Sequence, residues 1–297
     1  RSFGGQHNDT ARRVAVDREG NTYIAGVFLG SFAVDGKAIE AKGSFDVLLM
    51  KLDPRGRVLW ASSAGGAGDD YVLGLELHPD GKRLTVVGSY ERSFTFDRST
   101  ITAASRSAYL LTLSTTGQVH SLVGPTSSSK EGFVLPEDIV VMPNGELHLA
   151  GTMRGAYRFG SLAVDTKGPM TGFVAVYKGG FTQVKLLGGQ EARIASVAVN
   201  SAMQRTVVGI HSGRASFDEL TWECKGTQDG FVARLDQQGK VLWAKQIGGG
   251  GHDIAHRLVV GPQGSMRVLG RFHESISLGA ETLRTSSAAG ASFMVHL

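Results

Sequence analysis

A small or branched residue followed by glycine closes a strand-like run five times along the chain: Ala25-Gly26, Val87-Gly88, Ala150-Gly151, Val208-Gly209 and Leu269-Gly270. The spacings are 62, 63, 58 and 61 residues. A glycine pair keeps the same period at Gly4-Gly5, Gly65-Gly66, Gly188-Gly189 and Gly248-Gly249, and the missing pair falls near Gly124-Pro125. Two independent markers on one period define five repeats of about sixty residues. Such a chain is restricted to architectures in which one supersecondary unit stacks on the next. The 41 glycines among 297 residues, about twice the usual ~7%, are therefore structural punctuation. With 7 prolines and no Gly-X-Y period, collagen and low-complexity readings are excluded.

Within a repeat, the glycine pair is followed by a short polar loop and an alternating run such as 11–16. A turn rich in Asp, Asn, Pro and Gly comes next: 17–21, Pro79-Asp80-Gly81, Pro143-Asn144-Gly145 or Pro262-Gln263-Gly264. These residues supply positive φ and side-chain-to-backbone bonds for tight hairpins. The fourth repeat lacks a clear signal there, reading Asn200-Ser201-Ala202-Met203-Gln204. A second strand (22–26), a longer stretch (27–44), a third strand (45–52) and, after another turn, a fourth ending Val58-Leu59-Trp60-Ala61 complete the unit. Four short strands without a 3.6-residue apolar period predict an all-β protein, a β-propeller of five four-stranded blades. The blades run over 4–63, 64–124, 125–187, 188–247 and 248–297 in a single domain, the last completed by the N-terminal segment or by residues upstream. Trp60 and Trp243 share a repeat position and are expected to pack between blades.

The pattern Gly-Gly-x-x-x-Asp, then Val-x-Asp-x-x-Gly-Asn-x-Tyr-x-x-Gly, then Phe-Asp-x-x-x-x-Lys-Leu-Asp-x-x-Gly is clearest in residues 4–60 and recurs in 231–253. It resembles the SBBP-type β-propeller repeat of bacterial exported and surface proteins, and all five repeats can be laid on it. The third departs, with the loop 124–136 in place of its glycine pair. The resemblance implies seven blades, against five here, and a rigid extracytoplasmic module of a bacterium without shared catalytic residues.

Hydrophobic residues at 41% and charged residues at 20% describe a folded chain with ample core. No apolar run approaches the ~18–20 residues of a membrane-spanning helix. The chain opens without an apolar leader, so any targeting segment is expected upstream or removed. The charge of +4 is scattered. Arg12 and Arg13 alternate onto opposite faces of a strand without an aromatic platform, so nucleic-acid binding is not expected. Nucleophile-elbow, zinc-protease, P-loop and dinucleotide motifs are absent. His252 and His256 have metal-like spacing, but on a strand they lie about 13 Å apart. Cys224 has no partner cysteine for a disulfide and no neighbouring base.

The polar loops after the glycine pairs remain as candidates. An acid recurs at Asp9, Asp70 and Asp253, with His7, Tyr71, Arg193, His252 and Gln190 nearby. Each Asp either caps its own loop through backbone N–H groups or belongs to a polar face that binds a protein, a glycan or a divalent cation such as Ca²⁺. If blades one and five adjoin, His7, Asp9, His252 and Asp253 form a corner. A second ring, two residues beyond each marker glycine, comprises Phe28, Tyr90, Met153, His211 and Phe272. It packs the core or floors a sugar or peptide site near the channel. The expected function is non-catalytic protein recognition or scaffolding, with a surface glycan as the next partner. The rival is a carbohydrate-active propeller using Asp9, Asp70 and Asp253. No cofactor is expected apart from the cation.

Overall fold

The computed structural model describes residues 3–166, 168–187, 191–261, 265–278 and 281–296. Gly188-Gly189, Gln190, the turn Pro262-Gln263-Gly264 and both chain ends therefore lie outside the described residues. The protein is all-β, its sheets antiparallel, with no helix among the described residues. It comprises two compact units, residues 1–146 with 155–164, and 147–154 with 165–297.

In the first unit, β1 (Gly4–Gly5), β2 (Thr10–Val16), β3 (Thr22–Val34), β4 (Lys37–Leu52) and β5 (Val58–Ala64) form one sheet. Next come β6 (Tyr71–Leu77) and β7 (Arg83–Tyr90), the hairpin β8 (Ser93–Phe96) and β9 (Ser99–Thr102), then β10 (Ser107–Ser114) and β11 (Val119–Val123). The second sheet is ordered β6-β7-β10-β11. Strand β12 (Phe133–Val141) also belongs to this unit. In the second unit, β13 (Leu147–Arg154) pairs with β16 (Thr171–Tyr177), and β16 with β17 (Phe181–Leu187). The strands β18 (Glu191–Val199), β19 (Arg205–Ser212), β22 (Asp229–Leu235) and β23 (Val241–Ile247) form a four-stranded meander. The last sheet has three strands: β24 (Ile254–Val260), β25 (Met266–Phe272) and β28 (Ala291–His296).

The stretch between second and third strands, which the sequence leaves without structure, is a second hairpin. In the first repeat it is the continuation of β3 and β4 around Asp35-Gly36, both at positive φ. In later repeats it is a separate pair, such as β8–β9 or β20 (Arg214–Phe217) with β21 (Leu220–Glu223). Asp97 and Asp218 hold the positive-φ turn position there, as short side chains that bond their own backbone can.

These hairpins explain the glycine pairs. The glycine segment bridges the hairpin of its repeat: Gly4 pairs with Ala33, Gly65 with Thr95 and Gly248 with Ser277. A Cβ on Gly66 would fall well under 3 Å from the backbone oxygen of Ser93. In the third repeat Thr126 pairs with Arg158 instead. The marker glycine has a parallel cause. First strands bulge between Ala11 and Arg13, Val72 and Gly74, Ile194 and Ser196, and Ala255 and Arg257. The bulge drives a carbonyl onto the glycine opposite, and a Cβ on Gly88 would meet the Tyr71 oxygen.

The fourth repeat does contain the first-hairpin turn. Asn200 Oδ1 accepts the N–H groups of Ala202 and Gln204, as Asp17 Oδ1 accepts those of Glu19 and Asn21. Met203 stands at φ 58° where Gly20 stands at 83°.

Two of the cores are shared by consecutive repeats, and a third lies within the first repeat around Phe28, Phe32, Leu48 and Met50. Tyr23, Ala25, Val47 and Leu49 pack with Val72, Leu84, Val86 and Leu111 in the first unit. Val208, Val232 and Ile247 pack with Ala255, Val268 and Phe293 in the second. Trp60 lies across such a junction, its Nε1 donating to the Thr115 carbonyl at 3.2 Å.

Candidate functional site

Asp70 and Asp253 are buried and Asp9 is half-buried. Each accepts, through Oδ2, the N–H of the second glycine of its pair: Gly5 at 2.5 Å, Gly66 at 2.7 Å and Gly249 at 2.6 Å. Asp253 also takes the N–H of His273 at 3.2 Å. Of the two readings of these acids, the hydrogen bonds are those of the loop cap: the glycine segment folds back over the carboxylate, and Asp70 and Asp253 are buried beneath it instead of standing on an open polar face. Two acids absent from the sequence-derived set complete these nodes. Asp46 and Asp229, both buried, abut Gly65 and Gly248 from the other side. Burial foremost raises the carboxyl of Asp70, and the neighbouring charge of Asp46 adds to it, to about 7. Burial likewise raises Asp46 and Asp253.

Tyr71 is a packing residue. Its ring stacks on Phe45 at 5.9 Å, and Arg12 and Arg106 stand 6.0 and 5.4 Å from its centroid. His7 and Arg193 are exposed. His252 is exposed, with its ring 6.0 Å from that of His273, whose Nδ1 lies 2.8 Å from the His252 carbonyl oxygen. His256 sits on strand β24, so a helical His pair is excluded. Burial raises the Cys224 thiol, the opposite of what a thiolate nucleophile needs. Among the described residues, no group of three or more His, Cys, Asp or Glu could hold a metal ion.

The ring of Phe28, Tyr90, Met153, His211 and Phe272 does share one register position, opposite Asp46, Ser107, Thr171, Asp229 and Ala291. Every member is at most 3% exposed, which is the burial of core packing, the first of the two readings, and leaves no surface for the alternative of a ligand-binding floor. The second hairpin roofs them: Phe28 meets Phe32 at 6.0 Å and Tyr90 meets Phe94 at 6.1 Å. His211 accepts from Trp222 Nε1 at 3.1 Å, and burial lowers its pKa.

A site the sequence did not single out lies at the opposite, hairpin-turn end of the first two repeats. A groove of about 560 Å³ is lined by Val16, Asp17, Arg18, Glu19 and Lys51 of the first repeat and 77–82 with Thr115 of the second. Its walls are preorganised. Asp17 takes the N–H groups of Glu19 and Asn21, the Asn21 amide and the Tyr23 hydroxyl. Burial works to raise this carboxyl, but those bonds outweigh it and hold the carboxyl below the usual range. Asp80 is lowered by the Lys82 N–H and then by Arg83. Lys51 stands 4.0 Å from Asp17 and 5.0 Å from the Tyr23 ring. His78 is buried against Thr85 Oγ1 at 2.9 Å, and burial lowers its pKa. The groove thus gathers Asp17, Glu19 and Asp80 with Arg18, Lys51 and Lys82, beside the exposed Val16 and the half-buried Leu77. Such a lining suits a polar chain carrying charges of both signs.

No known sequence family matches the chain, and no curated protein does. Among solved structures, hydrazine synthase of Kuenenia stuttgartiensis is 12% identical, with a TM-score of 0.47 over 87% of this chain and 75% of that one. A protein of unknown function from Dyadobacter fermentans is also 12% identical, with a TM-score of 0.48 over 95% of this chain and 81% of that one. Both likenesses are too distant to carry a function to this chain.

Proposed function

We propose that the chain is a non-catalytic recognition module, a β-propeller of five blades that binds a protein partner through the groove between its first two repeats. The groove carries this reading: two consecutive repeats contribute turns made rigid by Asx bonding, and their mixed charges are arranged for contact rather than for proton transfer. The meander of four antiparallel strands and the cores shared between neighbours support the propeller. The SBBP-like pattern supports work outside the cytoplasm of a bacterium, on a rigid scaffold.

A photo-crosslinking side chain at exposed Lys82 is expected to trap one protein partner. Reversing Arg18→Glu and Lys82→Glu together should then weaken that complex at least ten-fold while leaving Tm unchanged, since both side chains are exposed. Unchanged affinity in the double variant would overturn the groove. Binding of a glycan panel through Lys82, without a protein adduct, would replace the protein partner with a sugar.

A further inference from the structure

The groove between the first two repeats holds acids and cations together, and the two sets differ in the bonding they have left to offer. Asp17 Oδ1 accepts the N–H groups of Glu19 and Asn21, and Oδ2 accepts the Asn21 amide and the Tyr23 hydroxyl. An ionised carboxylate has about four lone-pair sites, so this one is filled. Asp80 accepts the Lys82 N–H through Oδ1 and the Arg83 guanidinium through Oδ2. Glu19 takes the Asn21 amide at 3.3 Å. The cations are in the opposite condition: among the described residues, the side chains of Arg18, Lys51 and Lys82 donate no hydrogen bond. Lys51 is the most enclosed of them, its side chain 13% exposed, and Asp17 at 4.0 Å is beyond hydrogen-bond reach.

The fourth repeat shows the same position satisfied. Lys51 faces Tyr23 and Trp60 across its strand, as Arg234 faces Thr206 and Trp243. Arg234 donates through Nε to Thr206 Oγ1 at 3.1 Å, and its guanidinium also reaches Met266 Sδ at 3.4 Å. Tyr23 offers Lys51 only a ring face at 5.0 Å, since its hydroxyl is given to Asp17. An ammonium so enclosed, with three donors and no acceptor from its own chain, favours an anion in the groove.

We infer that the groove receives an acidic residue of its protein partner, an Asp or Glu side chain whose carboxylate accepts from Lys51 Nζ, with the exposed Arg18 and Lys82 as further donors. This rests on the reading of the groove as a protein-binding surface and names the group that the surface recognises. A single negative charge suits the groove better than a dianion, because Asp17 and Asp80 are both held ionised there and repel a phosphate twice as strongly. The exposed Glu19 and Asp80 suit basic residues elsewhere in the same segment.

Titration of the full chain with the capped tripeptide N-acetyl-Ala-Glu-Ala-amide, read by NMR at Lys51 Nζ and at the amides lining the groove, tests this inference. The comparison peptides carry Gln, Lys or phosphoserine in the middle, and glucuronate stands for a sugar acid. The Glu peptide is expected to give saturable shifts, with the Gln and Lys peptides about ten-fold weaker for want of a charge-assisted bond. Lys51→Gln should abolish that preference and Lys51→Arg should restore it, which a merely structural lysine would not do. A preference unchanged in Lys51→Gln would overturn the role of Lys51. Equal binding of the Glu and Lys peptides, or no shifts with the Glu peptide, would overturn the acidic residue whether or not the variants fold. The crosslink at Lys82 reports separately on the groove as a protein surface. Tighter binding of phosphoserine would overturn the single charge, and glucuronate matching the Glu peptide would overturn the polypeptide source.

Discussion

Replacing Gly88 by alanine is expected to destabilise the first unit by about 3 kcal/mol or more, at the severe end for a single methyl group. The added Cβ would meet the Tyr71 carbonyl oxygen and the Tyr109 ring, all well under 3 Å away. The carbonyl belongs to backbone fixed by the β6–β7 ladder, and Tyr109 is buried with its hydroxyl donating to that same oxygen at 3.1 Å. Neither neighbour can yield without breaking the bulge. Gly180→Ala is the control: it has nothing within 4 Å and no positive φ, so its effect should stay within about 0.5 kcal/mol. Thermal denaturation of the two variants, compared side by side, decides the matter. A Gly88→Ala protein as stable as the control would remove close backbone approach as the reason for the marker.

The second large effect is a pH dependence centred on Asp70. Its carboxyl is raised from 3.8 to about 7, by burial first and then by the charge of Asp46. A raised folded-state value means that the folded protein holds the proton more tightly than the unfolded chain. The stabilisation is therefore fully present below about pH 4 and is lost as pH climbs towards 7. With ~1.4 kcal/mol per unit, the loss amounts to about 4 kcal/mol at most. Asp70→Asn cannot ionise but keeps an oxygen for the Gly66 N–H. It should match the wild type near pH 4 and exceed it in stability near pH 8. Urea unfolding at both pH values reads the difference, and a wild-type advantage at pH 8 would contradict the assignment.

The period, the five repeats, their four-strand order and the turn residues were legible because each depends on local chemistry. A tight turn needs positive φ or a side-chain cap, and a half-buried strand needs alternation. Asn200 shows the limit of that reading. Its side chain makes the same two bonds as Asp17, but Met203 replaces the glycine that announces such a turn. The second hairpin could have been found: Asp35-Gly36 is a strong two-residue turn signal, obscured by the length of the stretch around it.

The candidate site was far less legible. Asp9, Asp70 and Asp253 recur at one spacing, and spacing does not distinguish a carboxylate offered to solvent from one folded under its own loop. The groove has no such signature: Asp17 and Asp80 read as turn formers, while Lys51 lies on another strand and Thr115 in another turn.

The sequence by itself determined the repeat, the all-β character and the positions where only glycine fits, since strand alternation and turn chemistry act over a few residues. Only the tertiary structure decided which acids are buried and which turns meet to form a groove. Those outcomes depend on packing between segments thirty to sixty residues apart, where burial and close approach are properties of the neighbours as much as of the residue itself.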